Sequence, residues 1–172
     1  YSISSGCCVP AALSGSWMKW ASRKGTLWIS KASNLTIFID EGRLSMDKKA
    51  AKQVSPLTLA FLGDGVFELF VRERLVEKGS APVNKLHKRA VAVVCAHAQA
   101  RAVELLEGKL TGEEQEILRR GRNAHSQAPK NADVAEYHSA TGLEALFGYL
   151  HLCGDSEREK ALFDLIWENV SW

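Results

Sequence analysis

From Ser55 onward the apolar positions fall into a helical rhythm; before it no rhythm persists. Leu59, Leu62, Val66, Leu69 and Phe70 recur at the steps that keep side chains on one helix face. Ser55 precedes Pro56, an N-cap residue followed by the residue best suited to the first helical position. Gly79 is placed to stop that helix. Asn84 opens a second helical stretch, from Lys85 to about Glu107, with a break near Val94 and Gly108 after it. Thr111-Gly112-Glu113-Glu114 has the form of a capping box and starts a helix ending near Gly121. Arg122–Asn131, with Pro129, Ser126 and two Asn, reads as a loop. A long helix follows Asp133 and runs to Leu152, closed by Gly154. Ser156-Glu157-Arg158-Glu159 reads as a second capping box before a last helix to about Val170. The pattern predicts an all-α domain over 46–172, with about five to seven helices and no internal repeat.

Residues 1–45 break this pattern. They hold nine Ser and three of the five Trp, and only Leu35–Ile39 reads as strand-like. The segment, Ser-rich and poor in acids, is expected to be a non-conforming extension: non-native sequence, a transit-like stretch or a disordered one. Val9–Leu13 is too weak an apolar stretch for a secretory signal. No run of 18 apolar residues occurs, so no membrane helix is expected.

Composition changes this picture little. The chain has 172 residues, 46% hydrophobic and 24% charged, enough for a real core without disulfides. Four Cys with no C-x-x-C spacing support neither a zinc site nor a redox pair, and buried structural thiols are expected at Cys95 and Cys153. The net charge of +2 is too small to attract nucleic acid in bulk, so any such attraction must come from a local patch.

Two places carry candidate chemistry. In Phe61-Leu62-Gly63-Asp64-Gly65-Val66-Phe67-Glu68, Asp64 and Glu68 lie four residues apart on one helical face among apolar and small neighbours. Glu144 is the only acid between Tyr137 and Leu152. Small residues beside both places, Gly63 and Gly65 in one helix, Gly142 and Ala145 in the other, would let two helices approach closely. Carboxylates 80 positions apart in sequence could then share a site of the hard-oxygen kind that suits Mg²⁺ or Mn²⁺. The competing reading is a solvated charge ladder completed by Arg72.

The second place is basic. Arg119, Arg120, Arg122, Asn123 and Lys130 lie in a stretch without an acid, suited to phosphate and sugar contacts. Complementation of a helix C-terminus explains Arg119 and Arg120 equally well, but not the run into the loop. Lys85, His87, Lys88 and Arg89 form a further basic stretch.

Taken in order, these motifs resemble the Mini-III subclass of the ribonuclease III family. The likeness runs from about Pro56 to Leu152 and includes Leu59-Ala60-Phe61-Leu62-Gly63-Asp64-Gly65-Val66-Phe67-Glu68, Leu86-His87-Lys88, Arg119-Gly121-Arg122-Asn123-Ala124, Pro129–Val134, and Ala140-Thr141 with Glu144-Ala145-Leu146. The resemblance implies a homodimeric all-α endonuclease domain that cleaves double-stranded RNA with Mg²⁺, or Mn²⁺ as a substitute. Its implied substrate is precursor 23S ribosomal RNA in the cytoplasm, or in an organelle stroma if 1–45 is a transit segment, with a ribosomal protein as a helper. It also implies that Asp64 and Glu144 are catalytic metal ligands and Glu68 an accessory acid. Ala60 and Thr141 stand where full-length ribonuclease III enzymes carry two further acids, a departure shared with Mini-III. It leaves the number of cations open and keeps a non-catalytic RNA-binding or ribosome-associated module as the alternative. With the chain ending at Trp172, no appended double-stranded RNA-binding domain is expected.

Overall fold

A computed structural model describes residues 17–22, 25–30, 36–40, 43–124, 128–130 and 133–169. The chain divides into two compact units, residues 1–53 with 152–154, and residues 54–151 with 155–172.

The first unit contains a four-stranded antiparallel meander, β1 (Trp17–Ser22), β2 (Gly25–Ser30), β3 (Thr36–Asp40) and β4 (Arg43–Met46), in sequential order. Short connections pair Ser22 with Gly25 and Asp40 with Arg43. The expected strand at 35–39 is β3, and the other three strands were missed. In β1 and β2 apolar residues sit side by side, as at Trp17-Met18 and Leu27-Trp28-Ile29, and β4 has only four residues, so the period-2 signal is weak. A short helix, α1 (Lys48–Gln53), follows, with the Asp47 carboxylate accepting from the Ala50 N–H at 2.9 Å.

The second unit is all helical among its described residues: α2 (Pro56–Glu77), α3 (Val83–Val94), α4 (Ala96–Leu106), α5 (Gly112–Arg122), α6 (Val134–Leu152, its last residue in the first unit) and α7 (Ser156–Glu168). The punctuation is chemical. Ser55 Oγ accepts from the Thr58 N–H at 3.1 Å, and Thr111 and Glu114 form the expected reciprocal capping box. Gly79, Gly108 and Gly154 all adopt positive φ just after helices, where a side chain would be strained. The break near Val94 is real: Cys95 is extended between α3 and α4. That geometry turns its thiol outward, so Cys95 is exposed rather than buried. The last helix is capped by Asp155, which accepts from the Arg158 N–H, and not by a box on Ser156. Glu159 is instead fully buried against His151.

Helix α6 is the centre. From Ala140 to Leu150 every residue is buried except Glu144, which is half-buried. It is sheathed on several sides, which explains why its apolar residues form no single stripe. Phe67 of α2 meets Phe147 and Phe163 edge-on at 5.2 and 5.6 Å, and Phe163 stacks on Phe70 and Trp167, tying α2, α6 and α7 together. Arg74 joins α2 to α7 through Asp164, and Arg158 joins α7 to α5 through the buried Glu114 at 2.8 Å. Burial opposes ionisation of Glu114, but the bonds from Arg158 and from Thr111 outweigh it and hold its carboxyl below the usual range. Among the described residues, no helix is long and apolar enough to cross a membrane.

The crossing of α2 and α6 admits no side chain at two points. A Cβ on Gly63 would lie 1.7 Å from the Glu144 carbonyl oxygen, and one on Gly148 would lie 2.0 Å from that of Leu59. Gly65, two residues along, faces open space. Gly148→Ala is therefore expected to lower the unfolding temperature despite the higher helix propensity of Ala, by at least about 1–3 kcal/mol of overpacking. Gly65→Ala should be neutral or stabilising by up to about 1 kcal/mol. Thermal unfolding by circular dichroism checks both, and equal behaviour of the two variants would refute the contact.

Candidate active site

The same crossing sets the chemistry. Gly63 lies against the backbone of Glu144, so Asp64, the next residue on α2, is carried to the edge of the Glu144 side chain. Burial raises the Asp64 pKa, and the charge of Glu68 raises it further. Glu144 is pushed up to about 7, first by burial and then by the charge of Asp64, against a smaller lowering by a contact from Gln99. Asp64 is exposed and Glu144 half-buried, and the environment of each opposes its ionisation.

The third predicted acid has a partner of its own. Glu68 reaches along α2 to Arg72, and their charged groups meet at 2.6 Å. The ion pair of the competing reading thus exists, and the Glu68 charge also acts on Asp64. Among the described residues no cluster of three or more His, Cys, Asp or Glu is placed to hold an ion. Asp64 and Glu144 are the two acids brought together here, and Mg²⁺, which keeps several waters and uses one or two carboxylates, would suit such a pair. Ala60 and Thr141 add no charge: Ala60 is buried, and the Thr141 hydroxyl donates to the Tyr137 carbonyl at 3.0 Å.

Gln99 of α4 was missed from sequence. It is 1% exposed, and its carboxamide faces Glu144 without a well-formed hydrogen bond at Nε2. The signal was present, because Gln99 shares a helical row with Ala102, Val103 and Leu106, all core residues. A polar residue on a core row needs a partner.

The basic residues divide. Helix α5 lies against α6 through Gly121, where an added Cβ would come within 2.7 Å of Ala145, so its C-terminal turn ends near the acid pair. Arg119, Arg122, Asn123 and Lys130 are exposed. Asn123 is also the residue that ends α5. Arg120 is half-buried and donates to the Val54 carbonyl at 3.2 Å, outside its own helix, a use the sequence did not suggest. Lys85, His87 and Lys88 are exposed at the start of α3.

The ribonuclease III domain family matches residues 57–155, more than half of the chain. The Mini-ribonuclease 3 of Symbiobacterium thermophilum is 56% identical over 104 residues, 60% of this chain and 80% of that protein. The chain belongs to the Mini-III subclass of the ribonuclease III family. The Mini-ribonuclease 3 of Streptococcus pneumoniae is 43% identical over 122 residues, 69% of this chain and 90% of its own length. A crystal structure of a Fusobacterium nucleatum protein superposes with a TM-score of 0.63 at 31% identity, covering 68% of this chain and 94% of that one. Mini-III membership makes this chain an endoribonuclease, and the acid pair sits within the matched region.

The raised pKa of Glu144 has a consequence for stability. An unfolded glutamate titrates near 4.5 and this one at about 7, so the fold binds the proton more tightly than the unfolded chain does. That stabilisation is complete below about pH 4.5 and is lost as pH rises through about 7. In chelator, Glu144→Gln should therefore stabilise the protein at about pH 8, by roughly 1–3 kcal/mol, and far less at about pH 5. Thermal melts of both chains across that range check the sign; a variant less stable than its parent at the higher pH refutes the strained acid.

Proposed function

We propose that Asp64 and Glu144 hold a divalent cation, Mg²⁺ or Mn²⁺ in its place, with which this endoribonuclease hydrolyses double-stranded RNA. The observation that carries the reading is the acid pair formed where α2 crosses α6. When bound, such a cation activates water and stabilises charge on the scissile phosphate. Asp64 and Glu144 supply its anionic ligands from two rigid helices. Glu68, paired with Arg72, acts beside them as an accessory acid that adds negative potential. Arg119, Arg122, Asn123 and Lys130 offer phosphate and 2′-hydroxyl contacts, the features by which an RNA duplex is recognised.

Two antiparallel strands call for two sites related by a twofold axis, hence a homodimer. Leu57, Phe61, Leu69 and Val76 supply its surface on α2, with Phe61 85% exposed beside Asp64. Residues 1–45 lie outside the catalytic domain, 46–172, in this reading. The chain acts in the cytoplasm, or in an organelle stroma, on the precursor of 23S ribosomal RNA, with a ribosomal protein as helper. RNA ends mapped in cells with and without the protein test that substrate. Sedimentation of a chain starting at Met46 should give a dimer, and Phe61→Asp in it a monomer. A monomer without the substitution, or a dimer with it, removes that part of the proposal.

Asp64→Asn is nearly isosteric and removes a cation-holding charge, so cleavage of a duplex should fall by about 10³-fold or more while folding and duplex binding persist. Glu144→Gln should do the same. Near-parental turnover at saturating Mg²⁺ in either variant would remove that residue from the site. Failure of the parent to cleave any duplex with Mg²⁺ favours the non-catalytic module.

In the Asp64→Asn background, Arg122→Ala should weaken duplex affinity and flatten its salt dependence. Each lost phosphate contact lowers the slope of log K by about 0.7–0.9, and a dimer loses two. An unchanged slope across a salt series moves the binding surface to Lys85–Arg89.

A further inference from the structure

We infer that Gln99 is a positioning residue, whose buried carboxamide fixes the Glu144 carboxylate in the orientation that faces Asp64. The inference rests on the acid pair holding a cation, as proposed above, and extends it to a residue that no motif singles out.

Three observations carry it. Gln99 is 1% exposed, on the row of α4 whose other members, Ala102, Val103 and Leu106, are plain core. Its Nε2 has no well-formed hydrogen bond, one of two such buried side-chain atoms among the described residues. Its carboxamide lies close enough to Glu144 to lower that acid's pKa, and Glu144 is the one residue between Ala140 and Leu150 that is not fully buried. A Met or Leu of similar volume would fill the same space with no polar group to satisfy, so packing alone does not call for an amide. The choice of amide is chemical. Its amide N–H has no hydrogen-bond partner in this structure, so it is free to donate to one Glu144 oxygen when a cation draws the other toward Asp64. It carries no charge, so it does not cancel the negative potential that a cation needs, as Lys or Arg would. It adds no repulsion either, as a third acid would. Groups that hydrogen-bond metal-holding carboxylates orient them in this way, and their loss typically costs about 10–100-fold in metal affinity.

The test is Mn²⁺ binding, followed by the electron paramagnetic resonance of the free ion, on the full chain, Gln99→Met and Asp64→Asn. The parent should bind, Asp64→Asn should not, and Gln99→Met should bind about tenfold more weakly. Its affinity for an RNA duplex in Ca²⁺ should be unchanged. A folded Gln99→Met that binds Mn²⁺ within about twofold of the parent overturns the role. A second measurement needs no core substitution. In the parent, the side-chain NH₂ signals of Gln99 should shift on addition of Mg²⁺, with the midpoint shown by the backbone signals around Asp64. Signals that stay in place while those around Asp64 move overturn it equally. A parent that binds no Mn²⁺ overturns the reading of the acid pair itself, and this inference with it.

Discussion

The close approach of α2 and α6 is the contact on which the rest depends. It is made possible by two missing side chains, at Gly63 and Gly148, each set against a carbonyl oxygen of the facing helix. Glycine in a helix interior costs about 1 kcal/mol relative to alanine. Here the cost is accepted because the crossing does two things at once. It brings Phe67 onto Phe147, and so builds the aromatic centre of the core. It also lays the Asp64 position beside Glu144, and so builds the acid pair. Stability and chemistry are set by one interhelical distance, and neither can be adjusted without the other.

The site is expensive within its own fold. Glu144 is held where its ionised form is disfavoured, and Gln99 is buried without a full set of hydrogen bonds. Elsewhere the same core meets its polar demands: Glu114 has Arg158 and Thr111, and the fully buried Glu159 has His151. Glu114 and Glu159 are paired, whereas Gln99 is unpartnered at Nε2 beside Glu144; the other unpartnered buried side-chain atom among the described residues is His138 Nδ1.

Charge is arranged locally rather than in bulk. A net charge of +2 on 172 residues gives little general attraction for RNA. The exposed Arg119 and Arg122 are gathered on the C-terminal turn of α5, which is pressed onto α6 at Gly121. Basic side chains there also suit the helix dipole, so Arg119 and Arg122 gain from their position even without RNA. Arg120 has turned inward to a backbone carbonyl, which shows that a basic run read as one surface can divide its work residue by residue.

The helices, their stops and two of their caps were legible in the sequence because those signals are local. Ser55-Pro56, the Thr111 box and the glycines at 79, 108 and 154 act through neighbours within a turn. Asp64 and Glu144 were legible as candidates because an acid among apolar and small residues is costly wherever the helix goes. The meander at 17–46 was not, since strand pairing is non-local and its pattern lacks alternation. Nor was the fate of Glu68, because whether it turns to Arg72 or to the acid pair depends on side-chain geometry. Gln99 shows the divide most clearly. Periodicity places it on a core row of α4, but only the packing of α4 near α6 decides that the group it meets is Glu144. Sequence fixes which residues share a helix face; the distance between faces, and so the partner each polar group finds, belongs to tertiary packing.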